Sequence, residues 1–253
     1  MRKIHQPCPD CSSSDALQLN DNGSSFCHSC AAYTRPDSDS FSIEVPQNYE
    51  PTAKPSFTAI ENMLTTRRYE SIPNRGLTTA TAKAYGILDT PEKTYFSYYG
   101  ADSATIPIAA KVRLPDKQFS TVGEWKEAQL FGQQLFTGGG KYVTIFEGEY
   151  DAAAGYQMQG SKYPCVSVRN GASAALKDCK AAYEWLDTFD AIVVCFDSDD
   201  VGQKAAREVA ELFGGKSAVM KHPPQYKDAN DYLMDNNIKD FTAAFWAAEK
   251  FVP

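Results

Sequence analysis

Between residues 141 and 220, short apolar runs alternate with stretches of helical period, and few folds accommodate that alternation. Residues 141–146, 164–168, 191–196 and 216–220 read as strands. Residues 150–159, 172–186 and 201–213 read as the helices between them, with two more over 229–236 and 241–250. Strands separated by such helices pair in parallel, with the crossovers covering the sheet. In sheets of this kind ligands gather at the carboxyl ends of the strands. The acids fall there: Glu147-Gly148-Glu149 after the first strand, Asp197-Ser198-Asp199-Asp200 after the third, and Lys227-Asp228 in the loop after the fourth. Converging carboxylates repel unless cations neutralise them, and a set of oxygen donors suits Mg²⁺ or Mn²⁺. Two such ions about 4 Å apart can serve the attacking and leaving oxygens of phosphoryl transfer.

A second constellation opens the chain. Cys8, Cys11, Cys27 and Cys30 have the spacing Cys-x2-Cys-x15-Cys-x2-Cys, which suits one tetrahedral Zn²⁺. The insert supplies two short strands, 16–19 and 24–26, joined through Asp21-Asn22-Gly23, where Asn-Gly favours a hairpin turn. Residues 1–36 are therefore expected to form a zinc-binding ribbon. Residues 37–56 are polar, contain Pro and lack a helical period, which predicts a flexible linker of roughly 60 Å when extended.

Residues 57–140 form a mixed α+β segment, with helices over 58–68 and 78–85 and antiparallel strands over 95–99, 105–108 and 110–113. This stretch is the most basic. Residues 57–141 carry 10 Lys+Arg against 8 Asp+Glu, whereas residues 142–253 carry 11 against 17. The net charge of −7 over 253 residues thus reflects acids gathered in the last part, and it does not exclude a nucleic-acid partner. Cys165, Cys179 and Cys195 lie in apolar surroundings; Cys165 and Cys195, inside expected strands, read as buried thiols, which points to a reducing compartment. No apolar stretch follows the first residues or approaches membrane-spanning length, so a cytoplasmic protein without a membrane partner is expected.

Glu147-Gly148-Glu149 and Asp197-x-Asp199, each after a strand, resemble the two motifs of the Toprim fold. The order ribbon, linker, basic segment and Toprim part is similar to the primase half of the bifunctional primase–helicases of short-tailed phages, a DnaG-type arrangement. Local likenesses include Lys111-Val112-Arg113, Asp116-Lys117-x-Phe119, Leu130-Phe131-Gly132, Gly171-Ala172-Ser173-Ala174-Ala175 and Lys227-Asp228-Ala229-Asn230. The resemblance implies an α/β protein: a β zinc ribbon, a basic α+β subdomain over 57–140, and a Toprim catalytic subdomain over 141–253 with a parallel sheet flanked by helices. It implies a DNA-dependent RNA primase that joins NTPs on a single-stranded DNA template, the ribbon reading the template. In the host bacterium it would work beside a replicative hexameric helicase and a DNA polymerase. The implied catalytic set is Glu147, Asp197, Asp199 and Asp228, holding about two Mg²⁺ or Mn²⁺ ions, with Glu147 also a candidate general base. Lys111, Arg113, Lys117 and Lys126 are the implied contacts to nucleotide and template. The ribbon carries Asn22 and Ser24 where related primases place a stronger acid and a histidine against the template, so a different template preference is expected.

Two other classes share these parts. A non-catalytic recombination mediator also joins a four-cysteine zinc site to a Toprim domain, but there the zinc site follows a helix-hairpin-helix region rather than opening the chain. A Toprim nuclease needs neither the ribbon nor the basic segment. Taken alone, Asp-x-Asp reads as a solvated turn, Asp200 as a helix N-terminal charge, and Tyr95, Phe96, Tyr98 and Tyr99 as sheet aromatics rather than base-stacking groups.

Overall fold

The computed structural model describes residues 3–6, 8–9, 16–21, 23–28, 33–34, 57–66 and 68–252 apart from 117. The chain divides into two compact units, residues 1–53 and 54–253.

In the first unit β1 (Lys3–Gln6), β2 (Leu17–Leu19), β3 (Ser25–Cys27) and β4 (Tyr33–Thr34) form an antiparallel sheet in chain order. The expected hairpin joins β2 to β3, with Gly23 at φ 79° and its N–H bonded to the Asn20 carbonyl at 3.0 Å. Cys8 and Cys27 are buried. Cys11, Cys30 and Asn22 lie outside the described residues.

The second unit begins with α1 (Phe57–Thr66) and α2 (Thr79–Tyr85). The Thr78 side chain caps α2 by accepting from Thr81 N, and Gly86 ends the helix as the sequence indicates. β5 (Ile87–Asp89), β6 (Thr94–Tyr98), β7 (Ala109–Arg113) and β8 (Phe119–Gly123) follow as an antiparallel meander. Residues 105–108 are not a strand: the Ser103 hydroxyl accepts from Thr105 N and Ile106 N, and Pro107 has no N–H to give a ladder. β5 and β8 have no counterpart in the sequence reading, because β5 is short and β8 is mostly solvent-exposed.

The parallel sheet is present, in the order β10 (Cys165–Ser167), β9 (Gly140–Phe146), β11 (Phe189–Cys195), β12 (Ser217–Val219). α3 (Glu149–Met158), α4 (Ala175–Ala181), α5 (Tyr183–Leu186) and α6 (Asp200–Phe213) are its crossovers. The single helix expected over 172–186 breaks at Ala182; Tyr183 then stacks on Phe213 and Leu186 is buried. After α7 (Ala229–Met234) and α8 (Ile238–Trp246), residues expected to continue the last helix form β13 (Glu249–Lys250). That strand pairs antiparallel with β12 and closes the sheet edge.

Period-two alternation distributes the sheet's side chains between two cores. Val143, Ile145, Ile192 and Val194 pack with α4 and α6 on one face. Phe146, Val193 and Cys195 pack on the other, with Ala152–Ala154 of α3 and with Tyr85, Phe96, Tyr98 and Phe131 of the preceding segment. Phe131 also exchanges backbone hydrogen bonds with Ser167 at 3.0 and 3.1 Å, and the Tyr85 hydroxyl donates to the Cys165 carbonyl. One core therefore crosses residue 140 and fixes the antiparallel meander against the parallel sheet. Among the described residues, no helix is long and apolar enough to cross a membrane.

Candidate active site

β9 and β11 are neighbours in register, Phe146 opposite Cys195, so Glu147 and Asp197 emerge side by side where the two strands end. The loop after β12 returns beside them, with Ser198 N bonded to the Lys227 carbonyl at 2.8 Å. Asp228 caps α7: its carboxylate accepts from Asp231 N, and the Asp231 carboxylate accepts in turn from Asp228 N. The described acids that come together are Asp151, Asp197 and Asp228, which offer oxygens within 4.8 Å of one another.

Two of the expected four ligands, Asp197 and Asp228, are in this trio, and Asp151 joins them from the first turn of α3. Asp151 carries a sequence signal, the fifth position of Glu-x-Glu-x-Asp, but an acid there also reads as ordinary helix N-terminal charge. Asp199 stands outside the trio. It caps α6 by accepting from Gly202 N at 2.9 Å, and its other oxygen lies 3.6 Å from Lys227 Nζ. Glu147 sits against Asp197, and its Oε2 is buried without a hydrogen-bond partner among the described residues.

Two glycines make this approach possible. A Cβ on Gly202 would lie 2.5 Å from the Asp197 carbonyl oxygen and 2.9 Å from Glu147 Oε2. One on Gly148 would lie 2.6 Å from Asp151 Oδ2. A side chain between Glu147 and Glu149 would thus have to displace the Asp151 carboxylate from its place in the cluster.

The cluster's electrostatics call for positive charge. Burial, then the neighbouring Asp228 and Asp197, push the Asp151 carboxyl well above the usual range. Asp228 is raised by burial and by Asp231, and Glu147 by burial and by Asp197, partly offset by backbone N–H groups. Lys227 supplies one cation: its Nζ lies 2.8 Å from Asp197 Oδ2, and that hydrogen bond raises the ammonium's pKa. His222 braces the end of β11, with Nε2 3.1 Å from the Phe196 carbonyl and Nδ1 3.2 Å from the Tyr232 hydroxyl. Hard oxygen donors, a partnerless buried carboxylate oxygen and uncompensated negative charge together fit a divalent cation such as Mg²⁺ or Mn²⁺.

The carboxylates line a cleft of about 660 Å³ whose other wall is cationic. Lys111 and Arg113 alternate along β7 on the face turned to the cleft, and Arg75 joins them from the turn before α2. Lys111 is held in place: its Nζ lies 2.7 Å from Glu149 Oε1 and 3.0 Å from the Arg169 carbonyl, and Glu149 also accepts from the Tyr98 hydroxyl at 2.6 Å. Arg75 and Arg113 both stack on the Tyr150 ring, 4.5 and 5.6 Å from its centroid. Arg75 lies outside any motif of the sequence reading. Asn230 brings it in: its side-chain N–H donates to the Arg75 carbonyl and its backbone N–H to Asp151 Oδ1.

Lys126 lines a separate depression with Arg169 and Asp178, away from the carboxylates. Lys117 lies outside the described residues. Ser24, expected to meet the template, is 3% exposed and its hydroxyl accepts from the Asn20 amide at 2.9 Å. The hairpin closes on itself there, which turns the serine inward.

The Toprim-like family matches residues 144–233. A DNA helicase/primase of enterobacteria phage T3 is 33% identical over 99% of the chain, which spans 44% of that protein's length. The crystal structure of the primase fragment of the bacteriophage T7 primase–helicase protein is 33% identical, covers 97% of this chain and is itself covered completely, with TM-score 0.65. A structure of the bacteriophage T7 lagging-strand DNA polymerase interacting with primase domains bound to an RNA/DNA hybrid and dTTP contains a chain 35% identical to this one. That match covers 73% of this chain and 94% of the other, with TM-score 0.64.

Proposed function

The chain belongs to the DNA primases of the phage primase–helicase type, and from that premise we propose that it synthesises short RNA primers on single-stranded DNA by metal-dependent nucleotidyl transfer. One observation carries this reading: Asp151, Asp197 and Asp228 converge at the strand ends, in a cleft whose facing wall presents Lys111, Arg113 and Arg75. A nucleoside triphosphate needs both, cations for its phosphates and carboxylates to hold the metal that travels with them.

In the reaction the 3′-hydroxyl oxygen of the growing strand bonds to the α-phosphorus of the incoming NTP. The bond to the bridging oxygen breaks, and pyrophosphate leaves. Asp151, Asp197 and Asp228 would hold Mg²⁺ or Mn²⁺, with Asp199 supporting the site from the cap of α6; bound there, the metal would neutralise phosphate charge and favour ionisation of the hydroxyl. Glu147, raised in pKa by burial and by Asp197 and partnerless at Oε2, is the candidate acceptor for the hydroxyl proton. Arg75 and Arg113 have guanidinium groups oriented by Tyr150 and able to grip phosphate in two places. Lys111, pinned by Glu149, contributes a fixed positive charge to the same wall.

Cys8, Cys11, Cys27 and Cys30 would hold one Zn²⁺ that folds the ribbon, which reads the template; the burial of Cys8 and Cys27 supports this. The partners would be single-stranded DNA, NTPs, a replicative hexameric helicase and a DNA polymerase. The helicase/primase relative from phage T3 and the T7 polymerase–primase structure support the last two.

Incubation with varied single-stranded templates, labelled NTPs and Mg²⁺ should yield short RNA, and elemental analysis one zinc per chain, lost on removing residues 1–36. DNA cleavage would point to a Toprim nuclease, and binding without synthesis to a recombination mediator; either outcome defeats the proposal.

A further inference from the structure

The face of the antiparallel meander that meets the carboxylates changes character from strand to strand. On β6 it carries Phe96 and Tyr98, both fully buried. On β7 it carries Lys111 and Arg113, opposite Phe96 and Thr94. On β8 the residues opposite Arg113 and Lys111 are Phe119 and Thr121. Phe119 is 53% exposed and lines the cleft together with Glu147, Asp197 and Asp228.

Single exposed aromatics are common on a surface, but this one stands inside a charged cleft, where its face is free to meet the flat apolar face of a ligand. Phe119 has no route into the interior. Val122 lies on the opposite face of the strand and packs, with Ala110, against Leu64 and Leu88. The other aromatics of the cleft are occupied: Phe96 is in the core, and Tyr150 is covered by the guanidinium groups of Arg75 and Arg113. Lys111 Nζ lies 4.9 Å from the Phe119 ring centroid, and its own bonds to Glu149 and Arg169 fix it there. The ring is thus steadied by an anchored cation while half its surface stays open to a cleft built for phosphates.

We propose that Phe119 is the stacking platform for a nucleobase in the active-site cleft, an inference that rests on the primase reading. The base belongs either to the template strand or to the incoming nucleotide; the π-face required is the same. Loss of one base–aromatic stack weakens binding by about 5- to 150-fold. Phe119→Leu keeps an apolar side chain and removes the ring, whereas Phe119→Trp keeps a ring and adds a fluorescent reporter. Phe119→Leu should raise either the Kd for a single-stranded oligonucleotide or the KM for NTP by that factor, with kcat little changed, while Phe119→Trp retains affinity. Quenching of the new Trp by oligonucleotide alone assigns the platform to the template, and quenching by NTP with Mg²⁺ assigns it to the incoming nucleotide. Wild-type Kd and KM in Phe119→Leu, in a protein that makes RNA, would overturn the platform alone. A wild-type protein that makes no RNA, while Phe119→Leu still loses oligonucleotide affinity, would overturn the primase reading and leave the platform standing.

Discussion

The carboxylate wall of the cleft hangs on points where a strand ends and a helix begins, whereas the cationic wall lies on the flat face of an antiparallel sheet. On the first wall each acid is placed by its own short segment: Glu147 after β9, Asp197 after β11, Asp228 at the N-cap of α7. On the second, Lys111 and Arg113 share a face as alternate residues of β7, and Phe119 joins them only because β7 and β8 pair in one register; a slip of one residue in β8 would turn Phe119 away. The walls also differ in how charge is satisfied. Among the described residues the carboxylate trio has one ion pair, Lys227 to Asp197, whereas Lys111 is already paired with Glu149 inside the protein. One wall is set up to acquire a cation; the other holds its cations in place.

The contrast within the carboxylate wall carries the largest expected effect. Asp151→Asn or Asp197→Asn should lower metal-dependent synthesis on the order of 10³-fold, since a metal ion contributes several kcal/mol to a phosphoryl-transfer transition state. Asp199→Asn keeps a residue competent to cap α6 and should lose about 10- to 100-fold, the range for residues that support a metal site from outside its first ligands. Single-turnover primer synthesis would check the ranking, and a larger loss in Asp199→Asn than in Asp151→Asn would break it.

Next comes the pair that anchors the cationic wall. The Lys111 and Glu149 side chains are 14% and 7% exposed, so Lys111→Met strands a buried carboxylate and should cost about 3–5 kcal/mol in urea unfolding. Adding Glu149→Gln, whose amide oxygen can still accept from Tyr98, should recover most of that stability. If the double variant is stable yet has a raised KM for NTP, Lys111 also meets the phosphates. No stability loss in Lys111→Met would mean that the pair does not anchor this wall.

The smallest expected effect is thermal. Asp151, Asp228 and Glu147 have carboxyl pKa values raised in the folded protein, so without metal their stabilising contribution is fully present below about pH 4 and is lost as pH rises through the raised values. Mg²⁺ should therefore raise the Tm more at pH 7.5 than at pH 5. In metal-free buffer at pH 7.5, Asp151→Asn should be more stable than wild type, by roughly 2–4 °C for each kcal/mol of repulsion relieved. A Mg²⁺ effect equal at both pH values would separate the cluster's raised pKa values from metal binding.

Local signals account for what was legible in advance. The apolar runs that became β9 and β11 are buried on both faces, so they stand out as continuous hydrophobic stretches, and acids immediately after them can only be strand-end acids. Glu147 and Asp197 were legible for that reason, and Asp228 from its place in the loop after the fourth strand. Asp151 and Arg75 were not, because an acid in a first helical turn and an arginine in a surface turn have ordinary local explanations. Helix α3 turns Asp151 toward the strand ends, and Asn230 ties Arg75 to it.

The parallel sheet, the helices between its strands and the carboxyl ends where chemistry gathers are written locally in the chain, since strand, helix and cap follow patterns of a few residues. Which carboxylates meet, that Lys111 pairs with Glu149, and that Phe119 faces the cleft emerge only once the chain is packed. Those outcomes depend on strand register and on one core shared across residue 140, and both arise from contacts between residues distant in the chain.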